Sequence, residues 1–170
     1  MKPLKRPVRR SILVSHVAVS VGWLGLTVCL LVLGLAAFLT DDPGMAVAAT
    51  RAMKVLADWL VTPVALLSLV SGLILALGTP WGLARHRWVW VKFWLTLIAT
   101  GLSVFSLRPG IDEAVARGAA DIDLVIAPSV ATATYLFVTA ISVVKPWGPT
   151  RRGRLRRRSR ETGRLPVGLG

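Results

Sequence analysis

The chain has 170 residues and is both apolar and basic: 54% of its residues are hydrophobic, its mean hydropathy is +0.65 and its formal net charge is +13. Soluble globular domains usually contain about 25% charged residues, whereas this chain contains 17%, so the composition argues against a soluble domain. The single cysteine excludes a disulfide framework and a cysteine-type metal site.

The chain begins with the basic segment MKPLKRPVRR, which is followed by an uncharged run from Ser11 to Thr40. The apolar region of a secretory signal is only about 7–15 residues long. We therefore expect a retained first transmembrane helix. Cys29 falls inside this helix, where we expect a small buried packing residue.

Three further apolar runs follow, and a span needs about 20 apolar residues to cross a hydrocarbon core of about 30 Å. The sequence therefore predicts an all-α polytopic membrane protein, an antiparallel bundle of four transmembrane helices in residues 11–145. Residues 1–10 form a basic N-terminus, and residues 146–170 form an arginine-rich tail that is predicted to be disordered. The predicted spans are 12–39, 59–79, 89–107 and 124–144.

The connections on the far side of the predicted membrane carry helix signals of their own. Asp42 and Pro43 are typical of a helix start, so we expect a helix from residue 45 to residue 58 that runs into span two and bends near Pro63. We expect Arg108-Pro109-Gly110 to end span three, before a short outer helix over residues 111–123.

The distribution of charge predicts the orientation, because Lys and Arg accumulate on the cytoplasmic side of inner-membrane proteins. Five basic residues precede span one, three lie at the connection between spans two and three, and nine follow span four, so 17 of the 21 share one side. Seven of the eight acidic residues lie on the other side. We expect both termini to be cytoplasmic, in the inner (plasma) membrane.

The stretch from Trp81 to Trp94 combines four tryptophans with basic residues and His86. Tryptophan prefers the membrane interface, so an interfacial turn explains this composition. The alternative is a haem b or copper site that uses His16 and His86, with Lys92 or Arg87 beside a haem propionate.

Polar residues recur at helical spacing in every predicted span. Ordinary packing between helices explains such stripes, and the alternative is a polar cavity that opens to the cytoplasm. The cavity would be lined by His16, Ser20, Lys92, Thr96, Thr139 and Ser142.

Span one also carries small residues at helical spacing, Ala18, Gly22 and Gly25, which allow a neighbouring helix to approach closely.

Residues for catalysis are missing from the sequence. No Asp or Glu lies within a predicted span, and there is no nucleotide-binding glycine loop, catalytic triad or HExxH metal motif. We therefore expect no catalytic residue, no enzymatic activity and no obligatory cofactor.

The tail that follows span four is dominated by arginine between Thr150 and Arg164. A polybasic segment next to a membrane is attracted to the anionic inner leaflet, which we favour over nucleic acid as its partner. The predicted lipid-contacting residues are Arg151, Arg152, Arg154, Arg156, Arg157, Arg158 and Arg160.

Three motifs carry a resemblance to known proteins: HVAVSVGWLG at residues 16–25, SLVSGLILALGTPWGL at 68–83 and RHRWVWVK at 85–92. Together they resemble a group of four-helix membrane proteins of high-GC bacteria whose activity is unknown, over residues 11–145. The first motif is also similar to the first helix of copper-resistance D-type membrane proteins. The resemblance implies a bacterial four-helix membrane domain.

Three classes of function follow from these observations. We favour a non-enzymatic membrane protein that acts through packing or partner contacts, with a second copy or another membrane protein. The alternatives are a haem- or metal-binding bundle that uses the two histidines, and a small transporter or permeation subunit with a cavity facing the cytoplasm.

Overall fold

The structure is a computed structural model that describes residues 5–78 and 87–144, with the backbone alone for Arg87. Every element in these ranges is helical. Four continuous helices are long and apolar enough to cross a membrane, which confirms the all-α class and the number of candidate spans. They are Arg6–Leu39, Pro43–Gly78, Trp88–Arg117 and Asp123–Val144.

The first helix, α1 (Arg6–Leu39), is the longest single element, and it ends where Thr40 turns to an extended conformation. Helix α2 (Pro43–Leu56) begins three residues later, with Asp42 as its N-cap. The Asp42 carboxylate accepts a hydrogen bond from the Gly44 backbone N–H at 2.9 Å, which satisfies one of the free donors of the first turn. The helix start predicted at Asp42-Pro43 is confirmed.

Helix α2 continues without interruption into α3 (Thr62–Gly78) through a π-helical segment, Ala57–Val61. Proline lacks a backbone N–H, and its ring collides with the carbonyl of the residue four positions earlier. For Pro63 that residue is Trp59, inside the π segment, where the wider turn relieves the clash. The predicted helix that runs into span two is therefore present.

The third long helix corrects an expectation. Helix α4 (Arg87–Leu102) passes through a second π segment, Ser103–Leu107, into α5 (Arg108–Arg117). The expected end of span three at Arg108-Pro109-Gly110 is therefore wrong, because the π turn accommodates the proline. The helix ends at Gly118 instead, whose φ of 67° is the left-handed conformation that favours glycine.

Helix α1 lies at the centre of the packing, in contact with α2, α3 and α6 (Asp123–Val144), while α4 contacts α3 and α6. One buried cluster takes a residue from each of the four long helices: Trp23, Ala65, Ala99 and Tyr135. The Trp23 and Tyr135 rings lie 4.4 Å apart between centroids, and the two alanines leave room for them.

A second buried cluster lies where α2 and α5 cover α1 and the start of α6. Its best-buried members are Leu30, Met53, Ile111 and Leu124. Gly34 allows the close approach of α1 and α6 at this level, since a Cβ at this position would collide with the Leu124 carbonyl oxygen.

Candidate functional site

Polar side chains from all four long helices gather near the end of the bundle where α3 ends and α4 begins. Helix α1 contributes His16 and Ser20, α3 contributes Ser68 and Ser71, and α4 and α6 contribute one residue each. We call this group the polar cluster. Its members are His16, Ser20, Ser68, Ser71, Lys92 and Ser142.

His16 is held by a hydrogen bond of 2.9 Å between its Nδ1 and the Ser71 hydroxyl. That hydroxyl donates its own proton to the Leu67 carbonyl at 2.6 Å, so Nδ1 must carry the hydrogen and donate it to Ser71. In the neutral ring, Nε2 is thereby the acceptor nitrogen. Gly72 makes room for the imidazole, whose Cε1 would lie 3.0 Å from a Cβ at this position.

Two serines connect the same helices one turn further along the bundle. The Ser20 and Ser68 hydroxyls lie 3.0 Å apart, and Ser68 is buried. A hydrogen bond between these hydroxyls links α1 to α3 inside the bundle.

Lys92 reaches from α4 to α6, where its ammonium donates to the Ser142 hydroxyl at 2.5 Å. Ser142 donates in turn to the Val138 carbonyl at 2.7 Å, so its oxygen is free to accept from the ammonium. The ammonium also lies 5.8 Å from the centroid of the Trp88 ring, within the range of a cation–π interaction. Lys92 thus belongs to the same end of the bundle as His16, and each is held by a serine of a neighbouring helix.

The polar cluster contains cationic and hydroxyl groups but no carboxylate. All the ion pairs in the described parts of the chain lie at the opposite end of the bundle. Their residues come from two stretches, 54–58 and 108–121. The pairs are Lys54–Asp58, Lys54–Asp112, Arg108–Asp58, Arg117–Glu113 and Arg117–Asp121.

The structure brings together four of the six residues predicted to line a cavity: His16, Ser20, Lys92 and Ser142. Thr96 is half-buried on α4, and its carbonyl accepts a hydrogen bond from Thr100. Thr139 is exposed on the outward side of α6, away from the cluster.

Sequence analysis omitted Ser68 and Ser71 from the predicted cavity, although their spacing of three residues placed them on one face of span two. Two other polar residues of α6, Thr132 and Tyr135, have buried hydroxyls without a hydrogen-bond partner in the described ranges.

A second surface of interest is the outward side of α1. Six small residues are exposed there at alternating steps of four and three, and we call them the small-residue face. A Cβ added at Gly22 or Gly25 would meet nothing within 4 Å. Cys29 belongs to this face, so the expectation that it is buried is wrong. The face comprises Ser11, Ser15, Ala18, Gly22, Gly25 and Cys29.

Several predicted site residues lie outside the described ranges: His86 and the tail arginines, together with the Arg87 side chain. The pairing of His16 with His86 therefore stays a prediction. Within residues 5–78 and 87–144, no group of three or more His, Cys, Asp or Glu side chains could hold a metal ion.

No protein-family model, no curated protein and no solved structure matches this chain. The resemblance to four-helix membrane proteins of high-GC bacteria, and that to copper-resistance D-type proteins, therefore stay predictions.

Proposed function

We propose that the protein is a non-enzymatic, multi-pass protein of the inner membrane that acts through helix–helix contacts, the first of them between α1 and the same helix of a second copy. Both termini face the cytoplasm in this proposal, and the four long helices form an antiparallel bundle. The observation that carries the proposed contact is the small-residue face of α1.

Glycine on a lipid-facing surface needs an explanation. It lowers helix stability by about 1 kcal/mol relative to alanine, and it offers no side chain to the lipid. Exposed positions on the neighbouring helices carry bulky residues instead, such as Leu66 and Ile74 on α3 and Val130 and Phe137 on α6.

Close packing explains the small-residue face. In membranes, helices associate through van der Waals contact between closely approaching backbones, which small residues at steps of three and four permit. Gly34 serves such a contact inside this chain and Gly72 makes room for the His16 ring, whereas a Cβ at Gly22 or Gly25 would meet nothing within 4 Å. Gly101 is equally open but stands among the exposed bulky residues Ile98 and Leu102. A second copy fits best because its own α1 supplies a matching small surface.

The contacts between helices support the antiparallel arrangement. From His16 to Ser20 on α1, the hydrogen-bond partners on α3 run backwards, from Ser71 to Ser68. Likewise Trp23 meets Tyr135 and Gly34 meets Leu124, so α6 also runs opposite to α1. Both relations fit helices joined by short connections on alternating sides of a bilayer.

Cys29 allows a direct test, because it is the only cysteine and lies on the small-residue face. Oxidation of membranes that contain the full chain should give a disulfide-linked dimer. Gly22→Leu should reduce its yield several-fold, since the larger side chains hold the two backbones apart. Val17→Leu, about 140° around the helix from Gly22, is the matched control and should leave the yield unchanged.

Other outcomes of this experiment would count against the proposal. Cys29→Ser must abolish the linked dimer. A dimer yield that Gly22→Leu and Val17→Leu affect equally, or no dimer at all, would contradict self-association through this face.

The transport alternative draws support from one observation, the convergence of four helices on the polar cluster. Solute flux in vesicles that contain the purified protein would test it. The haem or copper alternative stays a hypothesis on His16 and His86, and the visible absorbance and metal content of the purified protein would decide it.

A further inference from the structure

We infer that the polar cluster binds a phosphate group, carried by an anionic lipid headgroup or present as free phosphate, with Lys92 as its principal ligand and His16 beside it. The site needs the membrane insertion proposed above, but it does not depend on the contact through the small-residue face.

Among the described residues, Lys92 is a cation without a counter-charge. In the described part of the chain its ammonium is held by the Ser142 hydroxyl and lies near the Trp88 ring, and every ion pair lies at the opposite end of the bundle. A half-buried ammonium among apolar helices is costly unless an anion accompanies it. No Asp or Glu lies in residues 5–40, 59–78, 87–111 or 124–144, so these segments offer Lys92 no carboxylate, and in this proposal a ligand supplies the anion.

Within the described parts of the chain, the hydrogen-bonding capacity of Lys92 is only partly used. An ammonium has three N–H donors, and one of them goes to Ser142. The remaining donors can reach the oxygens of a phosphate, which form charge-assisted hydrogen bonds with lysine.

His16 adds a second group of suitable chemistry. Its Nδ1 is committed to Ser71, so Nε2 is the nitrogen available to a ligand. The neutral ring can accept a hydrogen bond from a protonated phosphate oxygen there, and the protonated ring can donate one. Gly72 leaves room for the ring, and the bond to Ser71 orients it.

The depth of the cluster favours a headgroup as one source of the phosphate. Ser142 lies three positions before Lys145, the first charged residue after the apolar run of the fourth span, which corresponds to about 5 Å along a helix. Exposed tryptophans at the same end, Trp90 and Trp94, are typical of the membrane interface. Basic groups between helices at this depth are a known form of headgroup site.

The test uses the full chain, purified in mild detergent and freed of lipid. Binding of phosphatidylglycerol is compared with binding of phosphatidylcholine of the same acyl chains by native mass spectrometry. Lys92→Gln removes the charge but can still donate to Ser142, Lys92→Arg keeps the charge, and Lys54→Gln removes a lysine at the other end as the matched control.

We expect Lys92→Gln to bind the first phosphatidylglycerol about tenfold more weakly than the wild type does. Lys92→Arg and Lys54→Gln should bind it about as tightly as the wild type. All variants keep the tail, so its contribution cancels. If Lys92→Gln loses its helical circular dichroism, Lys92→Met is used in its place, because methionine keeps the apolar stem without the charge.

Inorganic phosphate distinguishes the two sources. If it displaces phosphatidylglycerol from the wild type at constant ionic strength, and does not do so from the charge-free variant, the site takes free phosphate. If phosphatidylglycerol stays bound, the headgroup is the ligand. Equal binding of phosphatidylglycerol by the wild type and by folded Lys92→Gln or Lys92→Met would overturn the inference, as would equal binding of the two lipids by the wild type.

Discussion

At the scale of single residues, the glycines of the long helices fall into two groups. Gly34 and Gly72 lie against neighbouring groups, the Leu124 carbonyl and the His16 ring, whereas Gly22, Gly25 and Gly101 face open space. Position in the packing, and not the local sequence, therefore decides what a glycine contributes.

Gly34→Ala tests this distinction. The new Cβ would collide with backbone atoms of Leu124, which cannot rotate away as a side chain could, so α1 and α6 must separate. We expect the free energy of unfolding to fall by about 1–3 kcal/mol, measured by titrating the helical circular dichroism in mixed micelles with a denaturing detergent.

Gly101→Ala is the control for this measurement. A Cβ there meets nothing within 4 Å, and alanine is the better helix former, so the stability should be unchanged or slightly higher. Equal losses from Gly34→Ala and Gly101→Ala would show that the close contact of α1 with α6 is not present.

At the scale of the elements, two π segments occupy equivalent places in two helices. Each ends two residues before a proline, at Val61 before Pro63 and at Leu107 before Pro109. In each case the carbonyl four residues before the proline lies in the middle of the segment. The repetition indicates one physical solution, a wide turn that lets a helix pass through proline without ending.

The two segments are connected by charge. Asp58, inside the first, accepts from Arg108, directly after the second, at 2.9 Å, and it lies 3.0 Å from Lys54. Lys54 also pairs with Asp112 on α5. This network holds the α2 and α5 ends of the two long helices together.

Asp58→Asn tests the contribution of the network. The groups are about one-third exposed, so solvent screens them, and we expect a small loss of stability. Thermal melts at low and high salt should show that the wild type loses more stability with salt than the variant does.

Glu113→Gln is the matched control, because its partner Arg117 is half exposed and 3.7 Å away. We expect this variant to melt like the wild type. If Asp58→Asn has the same melting temperature and the same salt dependence as Glu113→Gln, a stabilising role for the network is excluded.

At the scale of the whole molecule, charge is separated along the bundle. Seven of the eight acidic residues lie in two stretches, 41–58 and 108–123, and so do the ion pairs of the described residues. The described basic residues of the N-terminus and Lys92 belong to the other end. From Asp58 to Gly78 the second long helix rises about 30 Å, the thickness of a hydrocarbon core. The charged ends therefore lie about one membrane thickness apart.

This separation makes the proposed orientation testable. Reporter fusions after Thr40 and Arg117 should behave as external, and fusions after Arg87 and Gly170 as internal, because basic residues stay on the cytoplasmic side. The two fusions that are expected to be external serve as controls for the two that are expected to be internal. An external C-terminus would reverse the proposed orientation and the leaflet assigned to the polar cluster.

The sequence alone determined that this protein is built of four long apolar helices, and it predicted the helix start at Asp42-Pro43. Apolar length and capping residues are properties of a continuous stretch of chain, so no knowledge of neighbouring helices is needed to interpret them. The same reasoning placed His16, Ser20, Lys92 and Ser142 toward one end of the spans, since depth follows from distance along a helix.

Only the tertiary structure decided which faces turn inward. Thr139 has the same polar character as Ser142 yet lies outside the bundle, and Cys29 faces outward from an apolar helix. The structure also paired His16 with Ser71 and Lys92 with Ser142, and it carried a helix through Pro109. The inward and outward faces and the side-chain pairs depend on the rotation of each helix against the others, which follows from tertiary packing such as that of Trp23 and Tyr135 against Ala65 and Ala99, whereas the passage through Pro109 depends on the π segment before it.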